Sequence, residues 1–417
     1  MTARRTLRRG LAATVSALAC LAAMPSRAEP AWIPSWTASP EARWGAEFAL
    51  PTGTPPLLDH QTLRQVVRLS LGGRRVRLQL SNEYGREPLV IGAAQVAPAA
   101  APGRGRVVRF GGQAGIVVPP GASVQSDPVD LKVAALAPLA VSLYLPGPTP
   151  TRTFHWDGRQ AASLAPGNQV TAARLPPTPG LSARLFLSGI AVEADAPNGS
   201  VVVIGDSITD GNGATMDADT RWPDFLAARL APQRVAVLNA GISGGRLLSD
   251  GMGPSALARF DRDVLMQPGV RSVIVLIGIN DISWPRTAFD PQRRPPELAE
   301  LIAGHRQLIA RAHRRGVRVL GATLTPFEGA LAGTPLADYF QPTKDALRGQ
   351  LNAWIRDSGE FDAVLDFDAL LRDPSQPSRL QPAFDSGDHL HPGDAGHRAM
   401  ADAVPLRALF DQIPTRP

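Results

Sequence analysis

The sequence VVVIGDSITDG, residues 201–211, determines how this 417-residue chain is interpreted. Four β-branched apolar residues are followed at once by Gly205, Asp206 and Ser207, a pattern typical of a buried strand that ends in a tight turn. A serine at such a turn is expected to be exposed, and the N–H groups at the start of the next helix suit a reaction that produces an oxyanion. The alternative is that Asp206 and Ser207 only cap that helix.

Outward from this turn, residues 200–417 alternate between short apolar runs and helical patterns. Besides the strand that begins at residue 201, the pattern predicts four strands, at 234–239, 272–278, 317–324 and 363–367. It predicts helices at 222–230, 296–316, 343–359 and 393–404. Strand–helix alternation with apolar strands predicts a parallel, five-stranded sheet covered on both faces. The active groups of such sheets collect at the carboxyl ends of the strands.

Residues 29–195 show a different pattern. Short runs with partial period-two alternation are separated by Gly and Pro, and no long helical period extends through them. These runs lie at 64–71, 75–82, 107–112, 115–121 and 139–147. The pattern predicts an all-β sandwich domain, jelly-roll-like, over 29–195. A linker at 194–199 would join it to the α/β domain at 200–417.

The first 28 residues have the features of an export signal. An arginine-rich start precedes the apolar stretch 11–24, and Ser26-Arg27-Ala28 forms a small-x-small cleavage site. We therefore expect an exported protein, periplasmic or secreted, whose mature chain has no transmembrane segment; the Sec and twin-arginine routes both remain open. Cys20 is the only cysteine and lies in this signal, so the mature chain would lack a cysteine nucleophile and a disulfide.

The net charge of +6 gives little support for nucleic-acid binding. Five arginines and no acidic residue lie in the first 28 residues, and without them 38 basic residues face 37 acidic ones. A nearly neutral mature chain lacks the basic surface that nucleic acids attract, so no nucleic-acid partner is expected. No pattern in the sequence specifies the oligomeric state.

Two further polar segments follow predicted strands. NAGISGG at 239–245 contains glycines that let the backbone approach a ligand closely, although an ordinary loop is the alternative. GIND at 278–281 carries an asparagine whose side-chain amide could complete an anion site, although an Asx-turn is the alternative.

A third segment, DHLHP at 388–392, lies near the C-terminus. Asp388 and His391 are three residues apart, a spacing that can place a base and the carboxylate that orients it on one side of a tight loop. The alternatives are a surface histidine, or a metal pair of His389 and His391. The metal pair lacks a third ligand, so neither a metal nor another cofactor is predicted.

Together the four segments resemble the four sequence blocks of the SGNH (GDSL-type) hydrolase family, over about residues 200–405. On this resemblance Ser207, Gly244 and Asn280 occupy the first three blocks, and Asp388 and His391 occupy the fourth. The resemblance implies a flavodoxin-like three-layer α/β/α fold and ester hydrolysis.

The resemblance also implies a role for each residue. Ser207 would attack an ester carbonyl, His391 would take its proton, and Asp388 would orient the imidazole. The backbone amides of Ser207 and Gly244, with the Asn280 side chain, would bind the oxyanion. Asp206 and Asp281 are expected to support their loops rather than take part in the chemistry.

The β-rich domain resembles, more weakly, the sandwich that precedes some SGNH modules in secreted esterases. We therefore expect a serine esterase for short acyl groups, such as acetyl groups on carbohydrate. The alternatives are a lipolytic esterase (a lysophospholipase or arylesterase), or an acyltransferase or polysaccharide-binding protein on the same fold. For the short-acyl esterase, the expected partner is its substrate, a small-molecule or polysaccharide ester.

Several tryptophans could contact such a substrate. Four lie in the β-rich domain, where sugar stacking and core packing are both open: Trp32, Trp36, Trp44 and Trp156. The stretch 283–296, rich in proline and arginine, follows the Asn280 segment. It is expected to be irregular and to form a wall of the substrate cleft, with Trp284 facing the acyl or alcohol group; a solvated connection is the alternative.

Overall fold

The computed structural model describes residues 31–46, 48 and 50–410. The predicted export signal, its cleavage site and Cys20 lie outside the described residues. The described chain has antiparallel sheets up to Ala194 and a parallel sheet from Ser200 onward, with a loop at 195–199 between them.

The regular structure of the first part consists almost entirely of strands, many of them very short. Within the described residues they are β1 (Ala31–Thr37), β2 (Glu41–Ala42), β3 (Leu57–Leu58), β4 (Gln61–Arg68), β5 (Val76–Ser81), β6 (Leu89–Ile91), β7 (Ala93–Pro98), β8 (Arg106–Val108), β9 (Ile116–Val118), β10 (Ser123–Gln125), β11 (Pro138–Leu145), β12 (Thr149–Pro150), β13 (Thr153–His155), β14 (Ala162–Pro166), β15 (Arg184–Leu185) and β16 (Leu187–Ala194).

Two antiparallel sheets make up most of this domain. Their strand orders are β1-β16-β5-β10 and β14-β4-β11-β7-β8, and smaller sheets pair β12 with β3, β6 with β9, and β13 with β15 and β2. Buried side chains from both large sheets, such as Leu78 and Val141, belong to one hydrophobic core. This is the arrangement of a sandwich, so the predicted all-β class is confirmed.

The second part is an α/β domain with one parallel sheet in the order β18-β17-β19-β20-β21. Its strands are β17 (Ser200–Gly205), β18 (Ala236–Gly241), β19 (Val270–Leu276), β20 (Arg318–Ala322) and β21 (Ala363–Leu365). Its helices are α1 (Ser207–Asp210), α2 (Trp222–Leu230), α3 (Ala256–Phe260), α4 (Ile279–Ser283), α5 (Leu298–His313), α6 (Pro342–Asp357), α7 (Phe367–Leu371) and α8 (Asp394–Ala403). The predicted α/β fold with five parallel strands is confirmed.

β17 shows why the apolar run forms a central strand. Each of its six residues is buried, and it pairs in parallel with β18 on one side and β19 on the other. A strand covered on both faces needs apolar side chains on both, which explains a continuous run rather than an alternating one. Where the structure describes the chain, no helix is long and apolar enough to cross a bilayer.

The two domains are in direct contact along β18, the edge strand of the parallel sheet. The Ser70 hydroxyl accepts a hydrogen bond from the Val237 N–H at 3.1 Å, and the Thr37 hydroxyl donates to the Asn239 carbonyl at 3.1 Å. Outside the strands, Arg262 of the α/β domain pairs with Glu83 of the β domain at 2.5 Å. The β domain therefore covers backbone groups that an edge strand otherwise leaves unpaired.

Candidate active site

Ser207 is the first residue of α1 and follows β17 after a single residue. Asp206 caps the helix by accepting a hydrogen bond from the Ile208 N–H at 3.1 Å, so the capping alternative is correct for Asp206 but not for Ser207. The expectation of an exposed serine is wrong: Ser207 keeps only 8% of its surface, because the His391 ring lies against its hydroxyl. Its backbone N–H, at the helix start, has no carbonyl one turn earlier to bond.

The structure brings Ser207, His391 and Asp388 into one hydrogen-bonded chain. The Ser207 Oγ lies 2.8 Å from His391 Nε2, across 184 residues of sequence. His391 Nδ1 lies 2.6 Å from Asp388 Oδ2. A carboxylate can only accept, so Nδ1 carries the hydrogen, and Nε2 is then free to accept the hydroxyl proton.

Asp388 is held in place by the loop that carries it. Its second oxygen, Oδ1, accepts hydrogen bonds from the backbone N–H groups of Leu390 at 3.0 Å and His391 at 2.8 Å. Burial by itself raises the pKa of Asp388, but the hydrogen bond and charge of His391 and these two N–H groups outweigh it and hold that pKa well below its usual range. Asp388 is therefore ionised at neutral pH and can stabilise an imidazolium at His391.

Gly244 lies in the loop after β18. The Ile242 N–H donates to the Gly205 carbonyl at 3.1 Å, so this loop runs beside the turn that carries Ser207. Gly244 has a φ of +69°, and a Cβ there would come within 2.5 Å of the Met252 sulfur. Both observations require glycine. Within the described part of the chain the Gly244 N–H has no hydrogen-bond partner, so it is available to a ligand.

Asn280 lies in α4, after β19, and its side chain reaches the same loop. Its Nδ2 donates to the Gly245 carbonyl at 3.0 Å, and its Oδ1 accepts from the Tyr339 hydroxyl at 2.7 Å. These bonds fix the orientation of the amide and leave one of its two N–H groups free. The predicted Asx-turn alternative is wrong, because the side chain bonds to distant residues rather than to its own turn.

The acidic neighbours of the block residues support loops, as expected. Asp281 accepts hydrogen bonds from the backbone N–H groups of Leu247 at 2.7 Å and Leu248 at 2.9 Å, which ties α4 to the Gly244 loop. Burial raises the pKa of Asp281 to about 6 in spite of these bonds, and burial raises the pKa of Asp206 to about 7. Both shifts reflect the cost of a charge in a site with little water.

Tyr339 and His397 lie near the site but belong to none of the four sequence segments. Tyr339 is almost fully buried and orients Asn280, but it lies in an unpatterned stretch 59 residues further along the chain. His397 of α8 bonds to the Asn212 carbonyl at 3.1 Å and, at 3.3 Å, to the Trp222 N–H. A histidine on the inner face of a predicted helix was the one available signal for His397.

The Trp284 ring lies beside Gly244 but is packed among other rings rather than exposed in an open cleft. The residue is 2% exposed, because its ring stacks on Phe289 at 4.4 Å and packs against Phe48 of the β domain at 6.0 Å. Trp36 is also buried, and Trp44 packs against Trp156 at 6.0 Å. The packing alternative therefore holds for Trp36, whereas Trp44 and Trp156 are only half-buried. Trp32 is half-buried under the Arg77 guanidinium at 4.5 Å.

The two histidines of DHLHP point to different carboxylates. His389 pairs with Asp385 at 2.5 Å, whereas His391 pairs with Asp388. Across residues 31–46, 48 and 50–410, no group of three or more metal-binding side chains is assembled.

The site therefore places a hydroxyl, a base, an orienting carboxylate and unused N–H donors at the carboxyl ends of the neighbouring strands β18, β17 and β19. The arrangement has the parts that acyl transfer needs, namely a nucleophile with its base and donors for an oxyanion. Each of the five predicted site residues lies in this region or in the loop that faces it.

Comparisons with known proteins found the following similarities. Among solved structures, the chain is similar to the alpha/beta hydrolase enzyme LAE5 from the metagenome of Lake Arreo, Spain, at 24% identity over 51% of this chain and 96% of that chain, with a TM-score of 0.37. It is also similar to an acetylxylan esterase from Geobacillus stearothermophilus (22% identity, 53% and 98% covered, TM-score 0.37) and to a GDSL-like lipase from Bacteroides thetaiotaomicron (17%, 51% and 88%, TM-score 0.37). No curated protein matches the chain.

A family model gives the more specific result. Residues 203–399 match the GDSL-like lipase/acylhydrolase family, and the match contains all five block residues in order. Residues 203–399 therefore form a GDSL-like lipase/acylhydrolase domain within this chain.

Proposed function

We propose that the protein is a serine esterase that cleaves carboxylic esters through an acyl-enzyme on Ser207. The observation that carries this proposal is the hydrogen-bonded chain from the Ser207 hydroxyl through His391 to Asp388, with distances of 2.8 and 2.6 Å. These are the distances at which a base can take a proton as the nucleophile attacks.

In the first half-reaction, Ser207 Oγ forms a bond to the ester carbonyl carbon while its proton moves to His391 Nε2. The imidazolium is stabilised by the ionised Asp388. Collapse of the tetrahedral intermediate breaks the bond to the alcohol oxygen, which leaves with the proton from Nε2. In the second half-reaction, water gives its proton to Nε2 and attacks the acyl carbon, which releases the acid and restores the Ser207 hydroxyl.

The oxyanion of each intermediate would be bound by three N–H donors. They are the backbone amides of Ser207 and Gly244 and the second N–H of the Asn280 amide. Because the first N–H of that amide and its oxygen are already bonded, the free N–H is held in a fixed direction before substrate arrives. Donors fixed in advance stabilise developing charge without reorganisation, which is why they increase rate.

Among esterases, we propose one for short acyl groups on polar alcohols, such as O-acetyl groups on carbohydrate. A lipolytic enzyme needs an exposed apolar rim at its site. The large apolar side chains that the described residues expose are Leu57, Val90, Val107, Val117, Met216 and Met266. None of them lies in the segments that carry Ser207, Gly244, Asn280 or His391, which supports a small polar substrate over a lipid.

The experiment that tests this function is a substrate series with a matched inactive variant. The chain without residues 1–28 would be assayed on p-nitrophenyl acetate, p-nitrophenyl esters of longer acids, acetylated xylan and lysophospholipid, beside Ser207→Ala. We expect turnover of acetyl esters that Ser207→Ala lacks. A preference for long acyl chains would instead indicate the lipolytic alternative. Acyl transfer to an added alcohol in place of hydrolysis would indicate the acyltransferase.

We also propose that the protein is exported, on the basis of the arginine-rich start, the apolar stretch and the cleavage site before Glu29. Expression of the full chain in a Gram-negative host, followed by fractionation and mass measurement, tests this. We expect a periplasmic or secreted product that begins at Glu29. A cytoplasmic product with residues 1–28 retained would contradict it.

A further inference from the structure

A second buried histidine–aspartate pair joins the β domain to the catalytic loops. It begins at Asp210, the last residue of α1, whose first residue is Ser207. The carboxylate of Asp210 accepts hydrogen bonds at Oδ2 from the Ser243 N–H at 3.0 Å and the Ser243 hydroxyl at 2.7 Å. Ser243 directly precedes Gly244, so Asp210 connects the helix of the nucleophile to the loop of the proposed oxyanion donor.

The other oxygen of Asp210 bonds to a residue of the β domain. His155, at the end of β13, places its Nε2 2.8 Å from Asp210 Oδ1, and both side chains are buried. His155 Nδ1 lies 3.1 Å from the Ser39 carbonyl. Both ring nitrogens therefore face groups that only accept, which requires an imidazolium with a hydrogen on each nitrogen.

The surroundings of His155 are consistent with that charge. Burial alone lowers the pKa of His155, but the charges and hydrogen bonds of Asp210 and Glu41 outweigh it and hold that pKa well above its usual value. Glu41, also from the β domain, lies with Oε1 3.3 Å from Nδ1 and is completely buried. Burial raises the pKa of Glu41 to about 7, the direction expected of a carboxylate that burial makes costly to ionise.

We propose that His155 is a positioning residue for the esterase reaction: it fixes Asp210, and through Ser243 it fixes the Gly244 N–H that binds the oxyanion. This inference rests on the proposed function of Ser207. It gives the β domain a part in the chemistry, because a cation from one domain orients a carboxylate that braces the active-site loop of the other.

The expected size of the effect follows from geometry. Loss of His155 leaves Asp210 with one neutralising partner fewer in a buried site, and the carboxylate and its loop are then free to shift. A misplacement of about 1 Å at a catalytic group can cost about 10²-fold in rate. Oxyanion donors act on the transition state more than on bound substrate, so kcat should fall while KM stays nearly constant.

The experiment compares four folded variants with the wild type on p-nitrophenyl acetate. His155→Ala removes the donor and its charge, whereas His155→Gln keeps an N–H that can donate to Asp210. Ser243→Ala removes only the hydroxyl bond to Asp210. Glu83→Gln is the matched control, since it weakens a domain contact to Arg262 that lies outside this chain of bonds. Thermal unfolding confirms that each variant is folded.

We expect His155→Ala to lower kcat about 10- to 100-fold with less than about a twofold change in KM. His155→Gln should recover part of the loss, and Glu83→Gln should stay within about twofold of the wild type. In a double-mutant cycle, His155→Ala and Ser243→Ala should be coupled, with a combined loss smaller than the product of the two single losses. If His155→Ala does not fold, His155→Gln replaces it in the cycle.

Three results would overturn the proposal. The first is a wild-type kcat in folded His155→Ala. The second is a KM that rises by as large a factor as kcat falls. The third is a double-mutant cycle in which the losses of kcat from His155→Ala and Ser243→Ala simply multiply. Failure of the proposed function looks different, because the wild type would then have no more activity than Ser207→Ala. In that case the role of His155 fails with it.

Discussion

The histidine–aspartate pairs His391–Asp388 and His155–Asp210 lie at the same end of the parallel sheet, and they differ in what the second ring nitrogen faces. His391 has Asp388 at Nδ1 and the Ser207 hydroxyl at Nε2. His155 has Asp210 at Nε2 and the Ser39 carbonyl at Nδ1. A hydroxyl can give up a proton and a carbonyl cannot, so the first imidazole is arranged to change its protonation and the second to keep it.

The two pairs also differ in their access to solvent. About 35% of the Asp388 side chain is exposed, whereas only 2% of the Asp210 side chain is. The two imidazoles are almost equally buried, so the difference lies in the carboxylate, which water can reach in the first pair but not in the second. Enclosure strengthens the second pair electrostatically, and it makes the loss of either member costly. The residue types alone therefore do not define the role; the third partner and the access to water do.

The largest expected effect comes from removing the group that makes the His391 pair reactive. Ser207→Ala should lower kcat by about 10⁴- to 10⁶-fold, because no nucleophile remains while the oxyanion donors stay in place. Steady-state hydrolysis of p-nitrophenyl acetate measures it, with the melting temperature as the control for folding. Retained activity in this variant would remove Ser207 from the mechanism.

A matched pair of substitutions tests the difference between the two aspartates directly. Asp388→Asn should lower kcat by about 10⁴-fold, because an amide in that position favours the wrong tautomer of His391. Asp210→Asn should cost far less activity but about 3–5 kcal/mol of stability, because it leaves a buried cation without its partner. Kinetics and urea unfolding of both variants measure the two effects. The comparison fails if Asp388→Asn is the more destabilising or Asp210→Asn the less active.

The next effect concerns Asn280, one of the proposed oxyanion donors. Asn280→Ala should lower kcat by about 10²- to 10³-fold with little change in KM, because the substitution removes a donor that binds the oxyanion only in the transition state. Tyr339→Phe is the milder variant. It removes a single hydrogen bond to Asn280 and should cost about tenfold or less. An equal loss in the two variants would mean that Asn280 acts only through its place in the fold.

The smallest effect concerns a third buried histidine, His397, which differs from both pairs because no carboxylate bonds to its ring. Burial lowers the pKa of His397 to about 4. In the unfolded chain His397 takes up a proton at about pH 6.5, whereas in the folded chain it does so only near pH 4. The contribution of His397 to the free energy of unfolding is therefore complete above pH 6.5 and is lost as the pH falls toward 4.

His397→Gln removes that titration. We expect the variant to be less stable than the wild type at pH 7, since hydrogen bonds to Asn212 and Trp222 are weakened, and the gap to narrow as the pH falls to 5. Urea unfolding at both pH values measures it. A gap that stays constant with pH would contradict a neutral His397 in the folded protein.

Much of the α/β domain could be predicted from its sequence, because its strands are continuous apolar runs and its helices repeat apolar residues at helical spacing. The helix at 222–230 has the predicted bounds, whereas β18 ends at Gly241, two residues beyond the prediction. Pairing with β17 through Gly205↔Gly241 extends it, and partner strands are not visible in a local pattern. The four polar segments could be placed for the same reason, since each follows a strand or closes the domain.

The cross-domain contacts could not be predicted. His155 lies in a short strand of the β domain without a motif around it, and its partner Asp210 is 55 residues away. Asp210 itself was visible in GDSITDG, but an acid at the end of a short helix has many structural explanations. The burial of Trp284 was missed for a related reason, because its cover includes Phe48 from the other domain. Long-range pairing depends on how the domains dock, and that information is spread over many residues.

One consequence follows from the length of α1, which is a single turn of four residues with Ser207 at its start and Asp210 at its end. Each helical residue rotates the chain by about 100°, so one inserted or deleted residue would turn either end away from its neighbours. The spacing between these two positions should thus tolerate many changes of side chain but no change of length. Engineering of this hydrolase toward new substrates is better directed at other loops than at this turn.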